Sequence, residues 1–173
     1  MSTIFIIAGP NGAGKTTYAR QFLPTVGAPE FINADDIARD IAPDAPDSIP
    51  VKASRHALER MDDLAQSGTP FAFETTLAGK NYQRRIPKWR TQGYSVYLTF
   101  LSLPSVELAL ERVRVRVQQG GHNIPEPVIR RRFEAGFRNF SELYQPLVTA
   151  WELYDNSGEE PLLKDAGPSI IRS

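Results

Sequence analysis

The nine residues Gly9-Pro10-Asn11-Gly12-Ala13-Gly14-Lys15-Thr16-Thr17 constrain this chain more than any other stretch. Two glycines with four residues between them, Gly9 and Gly14, are followed at once by a lysine and a hydroxyl. With Gly12 inside the turn, the backbone can bend tightly and aim successive N–H groups inward, which is the shape of a cradle for phosphate oxygens. Lys15 is placed to reach the outer phosphates of a nucleoside triphosphate such as ATP, and the Thr16 hydroxyl to ligate Mg²⁺. The flanks supply the context this pattern needs. Thr3-Ile4-Phe5-Ile6-Ile7-Ala8 is an apolar, β-branched run that reads as a buried parallel strand, and Lys15 to Phe22 meets no breaker until Pro24. Strand, glycine turn and helix start thus follow in the order that sets a helix dipole on a bound anion.

Beyond this point strands and helices alternate as an α/β sheet requires. Phe31-Ile32-Asn33 reads as a short strand, Val51 to Gln66 as a helix with Leu58, Met61 and Ala65 on one face, Phe71-Ala72-Phe73 as a central strand and Ser95 to Leu101 as another. Ser105 to Gln119 reads as a helix with the stripe Val106, Leu110, Val113 and Val117, ended by Gly120-Gly121. A further helix follows Pro125, its stripe running Ile129, Phe133, Phe137, Phe140 and Tyr144. Glu152 to Asn156 is a final strand, and Pro161 to Lys164 a strand or hairpin arm. The proline-dotted 42–50 stretch is a long surface loop, and Trp89 and Trp151 are core residues.

Ligands of such open sheets collect at the carboxyl ends of the strands. By that rule the glycine loop, Asp35 and Asp36, and Glu74 with Thr76 form one site. This is a working set for moving a phosphoryl group to a hydroxyl, which needs in-line positioning, cations on the phosphates and a carboxylate to take the acceptor's proton. Asp35 and Asp36 fit that role, and each also suits the N-cap of a helix starting at Ile37. Glu74 fits either substrate binding or the holding of a metal's water.

Charge is balanced overall, with 20 basic and 20 acidic side chains. Bulk attraction to nucleic acid is thereby argued against, although local patches remain open. Between Arg112 and Arg138 stand seven arginines against Glu126 and Glu134. Arg112 and Arg116, four apart on one helix face, point toward the 120–125 loop, and two such helices suit a lid that closes over phosphates. His122 in that loop and Arg131 after it are candidate substrate contacts, His122 by binding phosphate or capping a helix; His56 reads as surface. No cysteine is present, so neither a disulfide framework nor a thiolate site is available. No apolar run approaches the ~18 to 20 residues of a membrane span, and a soluble cytoplasmic protein is the simplest reading.

The segments GPNGAGKTT, INADDIAR, FAFETTLAG, GGHNIPEPVIRRRFEAGFRNFSELY and LYDNSG together resemble the small bacterial members of the zeta toxin family of P-loop kinases. The resemblance covers nearly the whole chain. It implies a P-loop NTPase three-layer α/β fold with a parallel central sheet, one domain over 1–173, and an arginine-bearing helical lid at roughly 112–132. It further implies an ATP- and Mg²⁺-dependent kinase acting on a small-molecule hydroxyl, with UDP-N-acetylamino sugars as the larger members' substrates and an antitoxin as a possible protein partner. The family's catalytic aspartate falls on Asp35, with Asn33 standing where the family has an earlier Asp. Its Glu-x-Thr substrate segment falls on Glu74-Thr75-Thr76. Two rivals are a polynucleotide 5′-hydroxyl kinase, which would need an extended basic groove with exposed aromatics, and a non-catalytic ATP-binding partner of an antitoxin.

Overall fold

A computed structural model describes residues 1–168. Strands β1 (Thr3–Ala8), β2 (Glu30–Ile32), β3 (Phe71–Thr75), β4 (Ser95–Ser102), β5 (Ala150–Asp155) and β6 (Leu162–Pro168) form one sheet in the order β2-β3-β1-β4-β5-β6. All neighbours run parallel except β5 and β6, so the Pro161–Lys164 segment is the hairpin arm at the edge. From β1 the chain runs out to β2, returns to β3 beside β1, then jumps to β4 on the other flank of β1. That reversal opens a crevice at the carboxyl end of β1, where the glycine loop begins.

Alternation along the strands separates two cores, as the period of two demands. Ile4, Ile6, Phe71, Phe73, Val96, Leu98 and Phe100 face one side, under α3 (Pro50–Gln66), α4 (Arg85–Thr91) and the turns at 140–148. Ile7, Ala72 and Leu101 face the other, under α1 (Lys15–Phe22), α5 (Val106–Gln118) and α6 (Glu126–Asn139). The outcome is the expected three-layer α/β arrangement. Ala109 and Val113 of α5 and Ile129 of α6 are buried in the second core, so both arginine-bearing helices belong to the body of the fold. What stands out from it is their connecting loop. Helix α5 closes on a glycine-dependent cap: Gly120, at φ 86°, donates to the Val117 carbonyl at 3.0 Å and Gly121 to that of Arg116 at 2.7 Å.

Two expectations are revised here. The stripe after Pro125 is not continuous, because α6 passes into a π-turn at Phe140–Tyr144 whose extra residue rotates the face. Phe140 and Tyr144 are buried in the first core, whereas Phe137 is left 45% exposed. Trp89 is buried, but Trp151 is only partly so, packed against the core near the sheet edge. The short α4 is masked in the sequence by Pro87, which falls in its first turn, where a missing N–H costs nothing.

Candidate active site

The glycine loop is shaped by what crowds it. A Cβ on Gly9 would lie 2.4 Å from the Leu101 carbonyl, and one on Gly12 2.9 Å from that of Ala109, while Gly12 and Gly14 both adopt φ 84°. These positions therefore exclude side chains on steric and conformational grounds together. Lys15, first residue of α1, folds back so that Nζ donates to the Gly9 carbonyl at 2.9 Å and the Pro10 carbonyl at 3.1 Å. Burial pulls its pKa down to about 8; Glu74 and Asp35 oppose that shift, and Arg116 and Arg132 reinforce it. Thr16 donates its hydroxyl to Glu74 Oε2 at 2.8 Å. Glu74 thus stands at the end of β3 against the hydroxyl expected to meet a metal, with Thr17 one position on at the open side.

Helix α2 (Ala34–Ile41) brings in the aspartates, and its cap differs from expectation. Neither Asp35 nor Asp36 caps it. Buried Asn33 does, accepting from the Asp35 N–H at 2.8 Å. With Asn33 in the cap, both aspartates fall in the first turn, where the helix dipole favours negative charge. They then diverge. Asp36 pairs with Arg39 at 2.7 Å and is half exposed, whereas Asp35 lies within electrostatic reach of both Lys15 and Arg132.

Two cavities meet at these residues. One, about 740 Å³, runs from the glycine loop along Thr16, Thr17, Arg112 and Arg116. The other, about 720 Å³, lies between α2, α3 and the Thr75–Gly79 loop, with Ala57, Leu58 and Met61 on one side and Arg131 and Arg132 on another. Lys15, Asp35, Glu74 and His122 border both. His122 caps no helix; its Nδ1 contacts the Asp47 carboxylate of the long loop, bridging two loops across the cavities. The 75–79 loop carrying Thr76 is fastened to the end of α6. Buried Asn139 donates to the Leu77 carbonyl at 2.7 Å, and Tyr144 donates to that of Gly79 at 2.7 Å. A Cβ on Gly136 would stand 2.3 Å from the Thr76 carbonyl, so the helix backbone and the loop touch directly.

The arginines divide by task. Arg112 spends its donors on carbonyls of Gly12 at 3.3 Å, Asn156 at 2.9 Å and Ser157 at 2.8 Å, so it braces the glycine loop and is not aimed at the 120–125 loop. Arg116 is exposed beside the first cavity and close enough to Lys15 to influence its charge. Arg131 borders the second cavity. Sequence reasoning passed over Arg132, which is partly buried, reaches Asn11 Oδ1 at 3.5 Å and has its pKa lowered chiefly by burial and by Arg131. The signal was present: three residues after Ile129 and four before Gly136, position 132 shares the inward side of α6.

The family described as an AAA domain matches residues 4–143. A Haemophilus influenzae protein, described as uncharacterized, is 31% identical over 125 residues, covering 72% of this chain and 88% of its own. Among solved structures, the AvrRxo1-ORF1:-ORF2 complex with ATP contains a chain matching 98% of this one at TM-score 0.76 and 18% identity. The present chain spans 59% of that chain's length. The PezAT toxin–antitoxin system of Streptococcus pneumoniae matches 92% of this chain, and 71% of its own, at TM-score 0.65 and 18% identity. These likenesses give the fold alone, that of a P-loop NTPase-like α/β domain. Among the described residues no helix is long and apolar enough to cross a membrane.

Proposed function

The chain belongs to this AAA-domain family, and from that premise we propose that it is an ATP-dependent kinase transferring the γ-phosphoryl group to the hydroxyl of a small molecule. The observation that carries the reading is the meeting of Lys15, Asp35 and Glu74 on the border between two cavities of similar size, one running along Gly12, Gly14, Thr16 and Thr17 of the glycine loop and the other touching that loop only at Asn11 and Lys15. The loop's N–H groups and Lys15 bind the triphosphate. Thr16, with Glu74 at 2.8 Å, is the pair suited to hold Mg²⁺ and its water, and the metal's contribution when bound is to neutralise phosphate charge. Asp35 accepts the acceptor's proton; the freed oxygen bonds to the γ-phosphorus as the bond to the β–γ bridging oxygen breaks, and ADP departs with that electron pair. Arg116 and Arg132 stabilise the charge that builds in between. Glu74, Thr76, His122 and Arg131 border or approach the acceptor, whereas Asp36, paired with Arg39, borders only the glycine-loop cavity.

The acceptor cavity, walled by apolar side chains such as Ala57, Leu58 and Met61 with arginines opposite, suits an anionic compound with an apolar face. UDP-N-acetylamino sugars, which the sequence resemblance suggests, are the first to try, and the likeness to PezAT makes an antitoxin the protein partner to seek. The test is ADP release with purified protein, Mg²⁺ and a panel of alcohols, with phosphorylated product identified by mass spectrometry. ADP release that no acceptor stimulates would leave an ATP-binding module and sink the kinase reading.

Lys15 predicts a pH dependence. Its free-protein pKa is pulled down to about 8, so the ammonium is present below that pH and lost as pH rises through it. Because kcat/KM reports groups of the free enzyme, kcat/KM for ATP should fall above about pH 8, while kcat, measured with phosphates already against Lys15, holds to higher pH. A kcat/KM that stays flat through this range would mean that Lys15 is not the phosphate-binding cation.

A further inference from the structure

The LYDNSG stretch, which spans the end of β5 and the turn that follows, belongs to the sequence pattern, yet the mechanism above gives it no work. Within it, Asn156 is fixed from several sides. Its N–H donates to the Ser102 carbonyl at 3.0 Å, which ties it to the end of β4, and its own carbonyl receives Arg112 at 2.9 Å. Its side-chain Nδ2 then donates to the Ala13 carbonyl at 2.6 Å, and a Cβ on Gly14 would sit 3.0 Å from that same nitrogen. The residue is packed against the glycine loop as closely as its neighbours permit.

The loop's carbonyls show what this contact does. Those of Gly9 and Pro10 are held by Lys15, that of Gly12 by Arg112, that of Ala13 by Asn156 and that of Gly14 by the Tyr18 N–H at 3.0 Å. In a planar trans peptide the C=O and the following N–H point opposite ways, so a partner holding the Ala13 carbonyl on one side turns the Gly14 N–H to the other. The Lys15 ammonium has three N–H donors and spends two on the Gly9 and Pro10 carbonyls, so to meet both outer phosphates of a triphosphate it must give up at least one of them. Arg112 and Asn156 can keep theirs.

We infer that Asn156 is a positioning residue of the donor site, holding the Ala13–Gly14 peptide with its N–H toward the phosphates as Lys15 turns donors from the loop to them. This rests on the reading of the loop as a triphosphate site. Two substitutions test it, Asn156→Ala, which removes the donor, and Asn156→Asp, which puts an acceptor in the same space. ATP affinity by calorimetry should weaken about tenfold in the first, the order expected when a carbonyl loses its donor, and further in the second. The acceptor KM should stay unchanged, and without nucleotide the amides of the glycine loop should exchange faster while those of β1 and β4 do not. ATP affinity unchanged in both variants, or exchange faster in the strands as much as in the loop, would overturn the inference. Wild-type protein that binds no ATP would sink the donor-site reading and this inference with it, whereas normal wild-type binding with unaffected variants sinks this inference alone.

Discussion

Lys15→Ala should lower ATP turnover by ~10² to 10³, the range found when one preorganised donor to a developing charge is removed. The ammonium is already drawn into the loop, 2.9 Å from the Gly9 carbonyl, and needs only to shift from carbonyl oxygens to phosphate oxygens. Arg116 and Arg132 stand close enough to perturb it but lie on other elements, and neither can take its place within the cradle. Lys15→Arg should not rescue, because a planar guanidinium does not fit a pocket shaped for a compact charge. ADP affinity should suffer less, since the outermost phosphate is gone. Thermal stability should not fall in proportion to turnover, because removing a buried ammonium also removes the cost of burying it. Steady-state ADP release and a melting curve on the same sample check both parts; normal turnover would take the glycine loop out of the chemistry.

What was legible in the sequence was what depends on local chemistry. The run Thr3–Ala8, the glycines and Lys15 specify strand, turn and helix within about twenty residues. The strand-end rule likewise brought Asp35 and Glu74 to the loop. What escaped depends on long-range partners. Asn33 as the cap, in place of either aspartate, follows from how β2 delivers the chain to α2. That Arg132 lies on the inward side of α6 can be read from its spacing to Ile129, but that it meets Asn11, more than a hundred positions earlier in the chain, cannot. Asn139, Tyr144 and Gly136 fasten the Thr76 loop, but Tyr144 in its stripe reads as ordinary packing, and Asn139 and Gly136 fall outside that stripe. The π-turn at 140–144 has no period of its own to betray it.

The same long-range contacts give α6 a double attachment. Its first half carries Arg131 and Arg132 along the second cavity, and its end grips the loop that carries Thr76. On the kinase reading proposed above, the residues offered to the acceptor by the loop after β3 and by α6 are thereby tied to one element, which is what in-line transfer asks of a scaffold.

Replacing the base gives the other large effect. Asp35→Asn preserves shape and the backbone bond to Asn33, but an amide has no basic lone pair to take the acceptor's proton, so transfer should slow by ~10² to 10⁴. Nucleotide affinity should hardly change, because the phosphates are held by the loop and Lys15. Asp36 is the control on the same helix turn. Its carboxylate is already paired with Arg39 at 2.7 Å and half exposed, so Asp36→Asn should leave the rate near wild type. Glu74→Gln separates base from metal holder: loss of the charge beside Thr16 should raise the Mg²⁺ concentration needed for half-maximal rate, a shift that Asp35→Asn should not produce. Rates measured across a Mg²⁺ titration for all three variants decide the assignment. Were Asp36→Asn inactive and Asp35→Asn active, the base would be one position further along α2; were Glu74→Gln the variant that loses rate at saturating Mg²⁺, the proton would pass to the carboxylate at the end of β3.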